Sequence, residues 1–212
     1  LVLQNAITFA AKWQEDFRQW DVIDYDFTRA DGTITRVEMM GSVRHAPYTV
    51  SDGWRGVRLD YADGELAAFV LIPDDDTEQA PLTTLRQAVT QLCRPNETIG
   101  FVFTRLPRFT VATSKDLVDL FTAIGVEHGM DRAMTTDLPT IPTQAKQQAI
   151  IVVDEQGTVV STVTIICMGI DIPHWAEEPI DIMANRPFYF IVGDVETGTP
   201  LFLSHIGDPK MA

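Results

Sequence analysis

Four histidines, two cysteines and a few adjacent carboxylates are the side chains whose chemistry could carry catalysis or hold a metal. His45, His128, His174 and His205 are scattered, with no pair at helical spacing and no cysteine nearby, so neither a zinc-type helix motif nor a Cys/His cluster is formed. Cys93 and Cys167 stand too far apart for a short-spaced metal pair, and two cysteines make no disulfide framework. The sequence contains no glycine-rich phosphate loop and no GxSxG nucleophile elbow. Asp154-Glu155 would serve as an acid/base pair only if both carboxylates met one substrate. Read as neighbouring strand residues, they point to opposite faces. Asp74-Asp75-Asp76, following Pro73, reads as a solvated loop, with an acidic metal site as the alternative. No catalytic residue, metal or cofactor is assigned on these grounds, and the chain does not read as an enzyme.

The whole surface argues in the same direction. Thirty acidic against 16 basic side chains give a net charge of −14, which repels phosphate backbones and excludes nucleic acid as a general partner. No run of eighteen or more apolar residues occurs, so no membrane-spanning helix is expected. At 212 residues and 45% hydrophobic content, one domain with a sizeable core is expected. The sequence opens on Leu1-Val2-Leu3, with neither an initiator Met nor a basic signal region. The expectation is that the true N-terminus, and any targeting signal, lies upstream, leaving the compartment unreadable.

Most elements that would position a site read as strands. Leu1 to Phe9 is an apolar run suited to a buried strand. Val22 to Phe27 and Ile34 to Met40 flank Asp31-Gly32, and further Asp-Gly pairs stand at Asp52-Gly53 and Asp63-Gly64. Such pairs accept the positive φ of tight turns and predict a series of hairpins. Leu66 to Ile72 is a strand closed by Pro73. Leu82, Leu85, Val89 and Leu92 predict a helix behind Pro81. Leu117, Leu120, Phe121 and Ile124 predict a second, with Thr113 or Ser114 as N-cap and Gly125 as C-cap. Pro187 to Val192 and Leu201 to Leu203 flank a turn at Glu196-Thr197-Gly198. Many hairpins with few helices point to an α+β fold of mostly antiparallel strands.

One segment stands apart. Ala149 to Val153 is a strand; Asp154-Glu155-Gln156-Gly157 follows, and then Thr158 to Ile170 runs without a charge until Asp171. Small or apolar side chains on both faces are the pattern of a strand in the middle of a sheet. Two readings stand: two central strands joined at Gly157, or a mobile segment able to become a central strand.

Motifs in order along the chain resemble the serpin family. Leu1 to Phe9 with Lys12-Trp13 and Phe17 looks like the third strand of the family's main sheet and the breach beyond it. Asp31-Gly32-Thr33 with Val37, Met39 and Met40 is similar to the next signature. Leu106-Pro107-Arg108-Phe109, Asp116-Leu117 and Ile124-Gly125 resemble a further strand and helix. Asp154 to Thr158 matches the hinge before the reactive loop. Asn185-Arg186-Pro187-Phe188, Thr197 to Phe202 and Gly207-Asp208-Pro209 resemble the C-terminal signature. The resemblance implies a serpin-like multi-sheet fold whose N-terminal helical part is missing, with residues 1–212 as the C-terminal part of one domain and a reactive loop at about 157–179.

It also implies a function. A serine protease, or a cysteine protease, cleaves the loop and is trapped when the loop's N-terminal arm inserts into the sheet as a strand. The hinge falls on Glu155, Gly157, Thr158, Val160, Thr162 and Thr164; the breach and shutter fall on Asn5, Trp13, Arg108 and Gln147. Val159 and Val160 are bulkier than the alanines usual in the hinge, and Gln147 stands where the family usually has histidine. Carrying the family's cleavage position from Gly157 puts the scissile bond at Asp171–Ile172, with Met168–Gly169 as the alternative. Arg108 is expected to pair with Glu155. An extracellular setting follows from the resemblance alone. The chain by itself is expected to be inactive, and to form a homo-oligomer or to associate with a separate N-terminal part through the edge at Leu1 to Phe9. In a competing form, Thr158 to Ile166 already fills the sheet. The functional alternative is a non-inhibitory serpin acting as a carrier or assembly protein.

Overall fold

Tight turns at glycine organise the sheet. A computed structural model describes residues 2–51, 53–74, 80–116, 144–158 and 179–210. In it Gly32, Gly53 and Gly64 take φ values of 79°, 80° and 72°, as the Asp-Gly pairs predict. They join β3 (Arg18–Thr28) to β4 (Ile34–Ser51), β4 to β5 (Trp54–Asp60), and β5 to β6 (Leu66–Pro73). All three pairs are antiparallel. The helix expected behind Pro81 forms as α1 (Leu82–Leu92).

The chain divides into two compact units, Leu1–Phe9 with Thr110–Ile151, and Ala10–Phe109 with Val152–Ala212. The first carries most of a three-stranded sheet in the order β1-β9-β8, made from β1 (Val2–Thr8), β8 (Phe109–Asp116) and β9 (Gln144–Val153). There β1 and β9 are parallel, in register from Val2 opposite Gln144 to Thr8 opposite Ile150. The second unit completes its set with β2 (Ala11–Lys12), β7 (Thr98–Pro107), β10 (Gly157–Thr158), β11 (Ile180–Met183), β12 (Phe188–Asp194) and β13 (Pro200–Ile206). Its eight-stranded sheet runs β11-β7-β4-β5-β6-β12-β13, with β3 beside β4. Only the β11–β7 pairing in that sheet is parallel among the described residues. The fold is α+β, strand-dominated, with a single helix among the described residues.

The core explains the order of the strands. Every residue of β6 from Ala67 to Pro73 is buried, the mark of a strand covered on both faces. One face, with Phe69 and Leu71, packs on Leu85, Val89 and Leu92 of α1 and on Tyr189 and Ile191 of β12. Phe109 meets the rings of Phe188 and Phe190 edge-on, at centroid distances of 5.8 and 5.2 Å. Buried Arg58 on β5 closes the end of α1. Its Nη1 donates to the Leu92 carbonyl at 2.8 Å and to Glu97 at 2.5 Å, and its Nε lies 2.8 Å from Asp60. The helix has no basic residue in its own last turn, so a strand supplies the cation that its C-terminal dipole favours.

Two expectations change. The strand expected over Ile34 to Met40 continues to Ser51, through Pro47. Among the described pairings, residues 42–47 have a ladder on one side only, toward β7, so a proline is tolerated there. Thr113 and Ser114, expected as helix N-caps, lie within β8. Sheet pairing outweighs their local capping tendency. The helix expected over Leu117 to Ile124, with Gly125 as its C-cap, lies outside the described residues.

Candidate functional site

The turn after β9 gathers the sequence-expected residues of the second unit. Asp154 and Glu155 do not continue the strand, as the sequence reading supposed; they open a four-residue reversal. Asp154 N–H donates to the Gly157 carbonyl at 3.0 Å. The Asp154 carboxylate accepts from the Gln156 and Gly157 amides at 2.9 and 3.2 Å, an Asx-type turn. The chain then runs back as β10, with Gly157 opposite Lys12 and Thr158 opposite Ala11, antiparallel to β2.

Gly157 is required by contact. A Cβ there would stand 2.2 Å from the Ala11 carbonyl oxygen, so no larger residue keeps this approach.

Three successive carbonyls of the turn are held from the segment after β2. Trp13 Nε1 donates to Asp154 O at 2.9 Å, Phe17 N to Glu155 O at 2.9 Å, and Trp13 N to Gln156 O at 3.0 Å. The indole is buried. It stacks on Tyr61 at 4.8 Å with 7° between planes, and Phe17 meets it edge-on at 5.9 Å. Packing therefore fixes the donor before the turn reaches it.

Glu155 carries the charge of the site. Its side chain is 8% exposed and accepts a hydrogen bond from Arg108 Nε, as expected from the sequence. Arg108 Nη1 donates at 2.9 Å to Glu38 of β4. The Glu155 hydrogen bond, against some burial and with the charges of both carboxylates, raises the Arg108 pKa above its ordinary value. The guanidinium is thus a permanent cation here. Glu38, Tyr61 and the turn-forming role of Asp154 were not found from the sequence. An Asp three residues before a Gly was the available signal for the turn; nothing local marked Glu38 or Tyr61.

Asn5 and Gln147 belong to the other unit, where they are register partners on β1 and β9. Because β1 and β9 are hydrogen-bonded neighbours from Val2 to Thr8, no strand lies between them over that stretch. The competing form, in which Thr158 to Ile166 already fills the sheet, concerns residues that beyond Thr158 lie outside the described ones. Val160, Thr162, Thr164, Met168, Gly169, Asp171 and Ile172 lie outside the described residues. Of the acidic run after β6, Asp74 is paired with Arg55 at 3.1 Å, and Asp75 and Asp76 lie outside the described residues.

Comparison with known proteins follows the same chain order. The profile described as "Serpin (serine protease inhibitor)" matches residues 1–209. Alpha-1-antiproteinase 2 of Equus caballus is 29% identical over 99% of this chain and 50% of its own length. Serpin-Z1B of Triticum aestivum is 25% identical over all of this chain and 57% of its own. The chain thus spans about half the length of the curated relatives it matches. A serpin of the trematode Schistosoma haematobium superposes with a TM-score of 0.79 at 21% identity, covering 97% of this chain and 56% of that one. Tengpin, a thermophilic serpin in its native state, gives 0.76 at 22%, covering 97% and 55%. The match over nearly every residue, and the shared fold, make the conclusion plain: this chain belongs to the serpin family, whose members are described as serine protease inhibitors.

Proposed function

We propose that this chain carries the hinge and reactive loop of a protease inhibitor that traps its target by loop cleavage and strand insertion. The observation that carries the reading is the reversal at Asp154–Gly157, which sets Gly157–Thr158 antiparallel to β2. An arm entering between parallel β1 and β9 after a tight turn must run antiparallel to both, and the reversal at Asp154–Gly157 is such a turn. Insertion would pair each backbone donor and acceptor of the arm and bury its uncharged Val, Thr and Ile side chains. In this reading Glu155, Gly157, Thr158, Val160, Thr162 and Thr164 form the hinge, Trp13 and Arg108 the breach, and Asn5 and Gln147 the shutter. Cleavage falls at Asp171–Ile172, which suits a protease with a cationic specificity pocket. Met168–Gly169 as the cleaved bond would instead suit an apolar pocket.

The test is incubation of the full-length protein with a panel of serine and cysteine proteases. A denaturant-stable covalent complex, with the released peptide beginning at Ile172, is the expected result. Simple cleavage without a complex overturns the inhibitory reading, and a different peptide end overturns the assignment of the bond.

A second reading, a non-inhibitory carrier, draws on an open and largely apolar groove of about 450 Å³ in the second unit. It lies between Leu82, Leu85 and Val89 of α1 and Ile191, Pro200 and Leu203 of the β12–β13 hairpin. Such a groove suits an apolar small molecule. Saturable binding of an apolar fluorescent probe, blocked by Val89→Trp, together with cleavage that yields no complex, would favour it.

A further inference from the structure

Arg108 joins two carboxylates that differ in what they need from it. Glu155 is almost fully enclosed and requires a cation. The Glu38 side chain is 57% exposed, is served by water, and gains little for itself. The value of the second contact therefore lies in what it does to Arg108, whose side chain is 40% exposed and would otherwise have wide rotamer freedom.

The geometry makes that effect specific. The β4–β7 ladder ends with Met39 opposite Pro107, and beyond it Arg108 N donates to Glu38 O at 3.0 Å. The two backbones are locked side by side. The side chains then meet through Nη1, while Nε faces Glu155. Holding a planar guanidinium through two of its donors sets both its position and its plane. Glu38 is itself anchored by β3, where Asp24 is its register partner.

We propose that Glu38 is a positioning residue of the hinge: it holds the Arg108 guanidinium in the orientation from which Nε engages Glu155, and so ties the hinge to the β3–β4 ribbon. This rests on the reading of Glu155 to Thr158 as the hinge. Glu38 acts through Arg108, to which its side chain and its carbonyl are both bonded.

The experiment is residue-resolved hydrogen exchange on the full-length protein, with no protease present. The reporters are the amides of Phe17 and Trp13, which donate to the Glu155 and Gln156 carbonyls. Glu38→Gln should speed their exchange about threefold, the scale of one partly exposed ion pair, while amides of β6 and β12 stay unchanged. Glu38→Asp should recover most of the protection, which a purely steric role would not. In an Arg108→Gln background, Glu38→Gln should add nothing. Unchanged exchange at Phe17 and Trp13, an equal change throughout β6 and β12, or the same increment without Arg108 would each overturn the proposal. Because no protease enters this measurement, a missing covalent complex would reject the inhibitory reading and leave the Glu38 role standing.

Discussion

In β6, seven successive residues from Ala67 to Pro73 are buried, whereas from Asp154 to Gly157 buried and half-buried residues alternate. The first region is held by packing of Phe69 and Leu71 with Tyr189 and Ile191 of β12 and with the apolar face of α1. The second is held by backbone carbonyls that accept from Trp13 and Phe17, and by one guanidinium. Burial is non-directional and collective, so losing one contact is felt through the whole core. Hydrogen bonds are few and directional, and each contributes little net once water can replace it. A segment held in the second way can be released while the first stays intact. The turn is therefore the part of this pair expected to open first, since local opening draws on regions with few buried apolar contacts.

The contrast is open to measurement. Phe69→Ala, which removes a ring at the centre of the cluster, should lower unfolding free energy by about 3–5 kcal/mol in a urea titration. A loss below about 1 kcal/mol would mean that the core repacks and that the comparison is overstated.

Arg108→Gln leaves the enclosed Glu155 carboxylate without its cation. The expected cost is about 1–3 kcal/mol, with faster proteolysis after Glu155 and little change in the unfolding cooperativity of the sheet. Equal exposure of the sheet to protease would show the two regions to be one cooperative unit.

Trp13→Phe keeps a ring against Tyr61 and removes the indole donor to Asp154 O. A loss of about 1 kcal/mol is expected, seen as faster amide exchange at Gln156 and Gly157. If the variant proves as unstable as Phe69→Ala, the indole belongs to the core and not to the clasp.

The smallest effect concerns acid. Asp31 and Asp194 accept from the hydroxyl and amide of Thr33 and Thr197, which lowers each pKa below its ordinary value. A depressed carboxylate contributes stability above its unfolded-state pKa, and that contribution is lost as pH falls through the folded-state value. Both residues sit in hairpin turns of the second unit, so acid should weaken this scaffold. Asp194→Asn should flatten the fall in thermal midpoint below about pH 4; an unchanged slope would remove Asp194 from the account.

Sequence alone decided the features that depend on a few adjacent residues. Asp-Gly pairs accept positive φ, and the turns at Gly32, Gly53 and Gly64 formed where they stand. The spacing of Leu82, Leu85, Val89 and Leu92 made one helix face, and all of it but Leu82 is buried. The ordered motifs identified the family, and through it the Arg108–Glu155 pair. What only the tertiary structure decided involves partners distant in the chain. Strand β4 runs on past Met40 to Ser51 because β7 and β5 offer it backbone partners. Thr113 and Ser114 join β8 because a neighbouring strand competes successfully with a local cap. Arg58 serves the end of a helix 34 residues later, and Glu38 meets an arginine 70 residues away. No local pattern encodes such pairs, because a long side chain reaches whatever the sheet register brings beside it, and that register is set by the burial of all the strands together.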